Sequence, residues 1–188
     1  MNLSGEPGRS TPPHGKRPVL TAIEGGAMTR DKGDAMGHGM DLAQVANTLE
    51  HHLNVQQNLC TRLEEVADGL PAEVRNDDCL ALARSLYPII HRSHQFEEQL
   101  LFPALRTRFA DDRSLRATLD RLHGEHWEDE AFAEEVQHEL VEFVAGRCEE
   151  NVEKLGYMLR GFFIGLRRHL AFEREHILPM LRMGETDR

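Results

Sequence analysis

Cysteine is scarce and unpaired in this chain. Cys60, Cys79 and Cys148 are odd in number, widely spaced and outside any CxxC pair, so they read as reduced thiols and not as a disulfide framework. No run approaches the roughly 18 apolar residues of a membrane span, and the N-terminus lacks the apolar stretch of a signal peptide. A cytoplasmic location is therefore expected. Positive charge is in deficit: the net charge of −10 argues against a general nucleic-acid or anionic-membrane surface. Strand-like alternation of useful length is missing as well, which excludes a sheet-based fold.

What is present is helical periodicity. Residues 1–40 are rich in Gly, Pro and charge without an apolar period, and are expected to form a disordered N-terminal tail. His14 and His38, which fall there, are discounted as ligands. From Asp41, an N-cap candidate, a largely apolar stripe recurs at spacings of three and four through Leu42, Val45, Leu49, His52, Gln56, Leu59, Leu63, Val66 and Leu70. Gly69 to Pro71 closes this first helix. A second carries Leu80, Ala83, Tyr87, Ile90, Leu101 and Leu105, with a kink expected at Pro88, Pro103 or both. A third starts near Asp111-Asp112 and ends at Gly146, and a fourth runs from about Cys148. Long helices joined by short turns predict an all-α, up-down-up-down antiparallel four-helix bundle over residues 41–183, with a short C-terminal tail at 184–188.

Polar residues interrupt each stripe at one level. They are His52 and Gln56 in the first helix, His94 and Glu98 in the second, His126 and Glu130 in the third, and His169 and Glu173 in the fourth. Residues at i and i+4 share a helix face, so each His-x-x-x-Glu pair can aim an imidazole and a carboxylate at one point. Eleven histidines and 21 glutamates in 188 residues give roughly one such pair by chance, and the chain has four. His138 with Glu142 is the fourth, off its stripe and assigned to solvent. Unpaired imidazoles and carboxylates in a bundle core cost several kcal/mol, and a bound transition metal, expected to be two irons, compensates them. His52 is preferred to His51 by phase. Gln56 suits a hydrogen bond to a ligating carboxylate or a bound small molecule better than iron ligation. Trp127 and the phenylalanines 96, 102, 162, 163 and 172 are candidates for the dry wall of the pocket, with ordinary core the expectation for most of them.

At these residues the chain resembles the hemerythrin-like (HHE) cation-binding family. The pieces that carry the resemblance are Glu50-His-His52, His94-Gln-Phe-Glu-Glu-Gln-Leu-Leu-Phe-Pro103, Glu125-His126, and His169-Leu-Ala-Phe-Glu173 followed by Ile-Leu-Pro179. The resemblance covers about residues 41 to 183. It implies two non-heme iron ions bridged by two carboxylates and capped by histidines. Glu98 and Glu173 then correspond to the bridges, and His52, His94, His126 and His169 to the terminal ligands. The oxygen-carrier pattern has a second histidine on the third helix, four residues after the first, where this chain has Glu130. If Glu130 ligates, the centre gains a negative charge that favours ferric iron. If it points away, one iron gains an open position.

The expected function is binding or sensing of dioxygen or nitric oxide. The alternatives are an enzyme that reduces peroxide or nitric oxide or oxidises ferrous iron, and an iron-handling or iron-centre repair protein. No nucleic-acid or membrane partner is expected, and a homodimer stands as an open option. A ferritin-like reading rests on Glu135 to His138 and Glu173 to His176, of which only the second touches a core stripe.

Overall fold

The computed structural model describes residues 41–147 and 152–183. The expected tails at 1–40 and 184–188 lie outside the described residues, as do His14, His38 and Cys148. Four long helices make up the described chain, and no strand occurs among those residues.

Helix α1 spans Leu42–Gly69 and starts where expected, with the Asp41 carboxylate accepting from the Ala43 N–H at 3.1 Å. Helix α2 is composite: α-helical over Asn76–Phe96, a π turn over Glu97–Leu101, then α-helical again over Phe102–Arg108. Pro88 stands inside the unbroken first stretch, so of the kinks expected at one or both prolines, the irregularity belongs to Pro103. Helix α3 spans Arg113–Val144. It is capped by Asp112, which accepts from Leu115 N–H at 2.9 Å, and is followed by Gly146 at φ 69°, a left-handed conformation that suits glycine. Helix α4 repeats the pattern of α2, with Val152–Phe172, a π turn at Glu173–Ile177 and a final stretch at Leu178–Arg182.

Helix α2 packs on α3 and α1 on α4, while contacts of α1 with α2 and of α3 with α4 close the ring. The result is the all-α four-helix bundle that the periodicity predicts. Leucines dominate its core: Leu49, Leu63, Leu86, Leu119, Leu140 and Leu159 are fully buried, each stabilising by about 2 kcal/mol relative to exposure. Cys60 and Cys79 are buried free thiols whose pKa values burial raises to about 12 and about 11. No described helix is long and apolar enough to cross a membrane. Among the described residues, the buried polar side chains are Gln56, Ser93, His94, Glu97, His126, His169 and Glu173.

Candidate metal centre

The two π turns position the centre. In each, one backbone N–H skips a residue: Phe102 donates to the Glu97 carbonyl and Leu178 to the Glu173 carbonyl. Pro103 and Pro179 follow one residue later and have no N–H, so the regular α ladder cannot continue through them and a wider turn takes up the mismatch. Each turn begins on a buried glutamate six residues before its proline.

These glutamates meet three imidazoles. Donor atoms of His94, His126 and His169 lie within 4.8 Å of one another, and so do those of Glu97, His126, His169 and Glu173. The His94 and His126 rings stack in parallel with centroids 3.9 Å apart, and His169 is tilted 49° to both. Nε2 of all three histidines, Oε2 of Glu97 and both carboxylate oxygens of Glu173 have no hydrogen-bond partner among the described residues. Nε2 of His126 and Oε2 of Glu97 approach to 3.0 Å, but not along a hydrogen-bond direction. Buried donors left unpaired cost roughly 1–3 kcal/mol each. Their convergence fits a nitrogen- and oxygen-liganded transition-metal ion. The other oxygen of Glu97 is held by a polar chain, with Gln56 Nε2 donating to Ser93 Oγ at 2.8 Å and Ser93 Oγ donating to Glu97 at 2.9 Å.

The cluster divides charge unevenly. Burial and the neighbouring Glu97 push Glu173 well above the ordinary carboxylate range. Burial also opposes the charge on Glu97, but the three imidazoles, His126 foremost, outweigh it and hold Glu97 down to about 2. One carboxylate is thus held toward its ionised form and the other toward its protonated form. Burial, helped by His126, lowers His94 to about 4, leaving its ring neutral at neutral pH.

Outside the cluster stand two reciprocal clamps. Glu130 of α3 accepts from Nδ1 of His94 at 3.0 Å and from Nδ1 of His91, one turn earlier on α2, at 3.0 Å. Glu98 of α2 accepts from Nδ1 of His126 at 3.0 Å and from Nδ1 of His123, one turn earlier on α3, at 2.9 Å. A carboxylate on Nδ1 fixes the tautomer that leaves the inward Nε2 lone pair free. His169 differs. Its Nδ1 lies 3.3 Å from Glu125 and 3.8 Å from Asp129, yet makes no hydrogen bond.

Of the residues singled out by sequence, His94, His126, His169 and Glu173 converge, and Gln56 is buried beside them. Glu98, Glu130 and His52 stand outside the converging set. His52 is half-buried and stacked on Phe96 at 5.1 Å, while its neighbour His51 is exposed. Glu97 is the residue that counting by four from His94 passes over, since residues three and four ahead share the same helix face and the count selects Glu98. Counting back from proline finds it, since Glu97 precedes Pro103 by the same six residues that separate Glu173 from Pro179. Trp127, a candidate for the pocket wall, is 72% exposed, whereas Phe102 stacks on His126 and Phe162 and Phe163 are buried. Glu135, His138 and His176 are exposed, so the ferritin-like pairs supply no inward set.

A four-helix bundle with a histidine–carboxylate cluster at mid-core defines a cation-binding helical domain. The hemerythrin HHE cation-binding domain matches residues 42–181, and the chain belongs to that family. No curated protein and no solved structure matches it.

Proposed function

We propose that this chain holds a carboxylate-bridged pair of non-heme irons and uses it to bind or sense a small diatomic ligand, dioxygen or nitric oxide. The observation that carries the reading is the convergence of partnerless donors on His94, His126, His169, Glu97 and Glu173. His52, half-buried and close enough to Glu97 to feel its charge, is the donor available from α1. Five or six side chains cannot fill the coordination sphere of two octahedral ions, so positions remain for a small ligand. Glu130 supports this by facing the outer nitrogen of His94 and not the cluster. The bound irons would supply the redox chemistry. The protein's part is to hold imidazole lone pairs inward, to place the carboxylates and to keep the site dry with Phe102 and the surrounding leucines.

An anaerobic ferrous titration tests the reading, followed by exposure to dioxygen and separately to nitric oxide with optical spectra. A band that forms with either gas and bleaches on degassing supports it. Rapid irreversible oxidation moves the assignment to an enzyme acting on peroxide, nitric oxide or ferrous iron, and no iron uptake overturns it.

A further inference from the structure

Among the three buried imidazoles, His94 and His126 have their outward nitrogens held by Glu130 and Glu98. His169 is only 6% exposed and its Nδ1 has no hydrogen-bond partner. The inner cluster accounts for its Nε2 and leaves Nδ1 unexplained. His169 also lines a cleft of about 380 Å³ between α3 and α4, together with Glu125, Glu128, Asp129 and Phe172. The orphaned nitrogen and two carboxylates, 3.3 and 3.8 Å away, form an N,O,O donor set at the only one of the three buried histidines that faces this cleft.

We propose that this cleft is a capture site through which a hydrated divalent transition-metal cation reaches the buried centre. The inference rests on the metal-centre reading above. Glu125, Glu128 and Asp129 concentrate the cation, Asp129 and Glu125 begin to replace its water, and His169 receives it on Nδ1. Oxygen and imidazole donors suit ferrous, manganous, cobaltous or zinc ions. Two arginines also line the cleft, but Arg121 is turned onto the Phe172 ring at 4.8 Å and lies 3.4 Å from the other oxygen of Glu125, while Arg168 is exposed. Three carboxylates, Glu125, Glu128 and Asp129, stand against these two guanidiniums, so the lining keeps a net acidic balance. A neutral imidazole offers one lone pair at a time. His169 therefore serves the capture site while the inner centre is empty and turns to the centre through Nε2 once it fills. The absence of a clamp on its Nδ1 permits this exchange, which the clamps deny to His94 and His126.

The test is stopped-flow uptake of cobalt(II) by the metal-free full chain, read by its absorption in the visible. The near-isosteric double variant Glu125→Gln/Asp129→Asn should fill at least about ten-fold more slowly and reach the same final spectrum. Gly165 lines the same cleft with open space where a Cβ would stand. Gly165→Met, which favours the helix, should obstruct the cleft and slow filling as well. A charge-matched control, Glu65→Gln/Glu73→Gln at a separate surface hollow, should fill at the parental rate. Parental rates in both cleft variants, or equal slowing in the control, overturn the capture site while leaving the metal centre standing. A final spectrum lost together with the rate does the same, by reducing Glu125 and Asp129 to supports of His169. A parental chain that takes up no cobalt overturns the metal centre and the capture site together.

Discussion

Nδ1 of His94 lies 3.0 Å from Oε1 of Glu130, so this carboxylate meets the outer side of an imidazole and not the cluster. Its charge polarises His94 from behind. Glu130→Gln keeps the shape and a hydrogen-bond acceptor but removes the charge. Metal affinity should fall by about 10- to 100-fold, the usual effect of losing such an outer partner, as measured by competition with a chelator. Glu130→His should fall at least as far, because a neutral ring cannot anchor His94 and His91 together. An affinity that rises in Glu130→His would place this side chain among the ligands after all.

Adjacent glutamates on α2 have different tasks. Glu97 is fully buried with one oxygen unpartnered, whereas Glu98 faces outward between His123 and His126. Glu97→Ala should abolish tight metal retention. Glu98→Ala should weaken it by no more than about 10- to 100-fold. Metal content after dialysis, read by plasma mass spectrometry, separates the two. The opposite ranking would return the inward role to Glu98.

The bundle, its cap at Asp41, the start of the third helix near Asp111-Asp112, and three of the histidines at mid-core were legible from period and cap chemistry alone. Those features follow from one regular helical repeat. The carboxylate of α2 was not, because the His94 to Glu97 spacing is three where His169 to Glu173 is four. Spacings of three and four both return to one face of a helix, so the period alone does not choose between Glu97 and Glu98. Glu130 escaped for another reason. Its place on the edge of its stripe is the same whether it faces a metal or the back of an imidazole on α2, and only the packing of α3 on α2 decides between them. Trp127 shows the same limit, since a residue next to His126 in sequence turns to solvent.

Pro103 offers a test of the π turn itself. Pro103→Ala restores an N–H that can donate to the Gln99 carbonyl and lets the regular ladder compete with the wider turn. Proline is also disfavoured in helices by up to about 3 kcal/mol, and less here because Pro103 stands in the first turn of its α-helical stretch. The metal-free variant should gain on the order of 1 kcal/mol in urea unfolding while its metal affinity drops, because Glu97 loses its aim. Loss on both measures, or gain on both, would show that the turn does not set the carboxylate's direction.

Acid should destabilise the metal-free protein through His94. Burial lowers its folded pKa to about 4 from a reference of 6.5, so on acidification the unfolded chain takes up this proton first. The stability held by the neutral ring is therefore complete above about pH 6.5 and is lost as the pH falls toward 4, to a ceiling of about 3 kcal/mol. Three neighbours modify the profile, and Glu173, raised above the ordinary carboxylate range, opposes it by favouring the fold as the pH falls toward that range. His126 is raised, so its contribution is present below pH 6.5 and declines as pH rises through its folded value. Glu97, held to about 2, adds a further loss only as the pH drops below the ordinary carboxylate value. The melting temperature of the metal-free protein should consequently fall between pH 6.5 and 4 more steeply than that of His94→Gln, which removes the titrating ring but leaves His126, Glu97 and Glu173 in place. Equal slopes in that window would show that the His94 ring does not stay neutral in the folded chain. Metal-loaded protein should hold its melting temperature to lower pH and then release the ion over a narrow range, because protons and the cation compete for the same inward Nε2 and carboxylate oxygens.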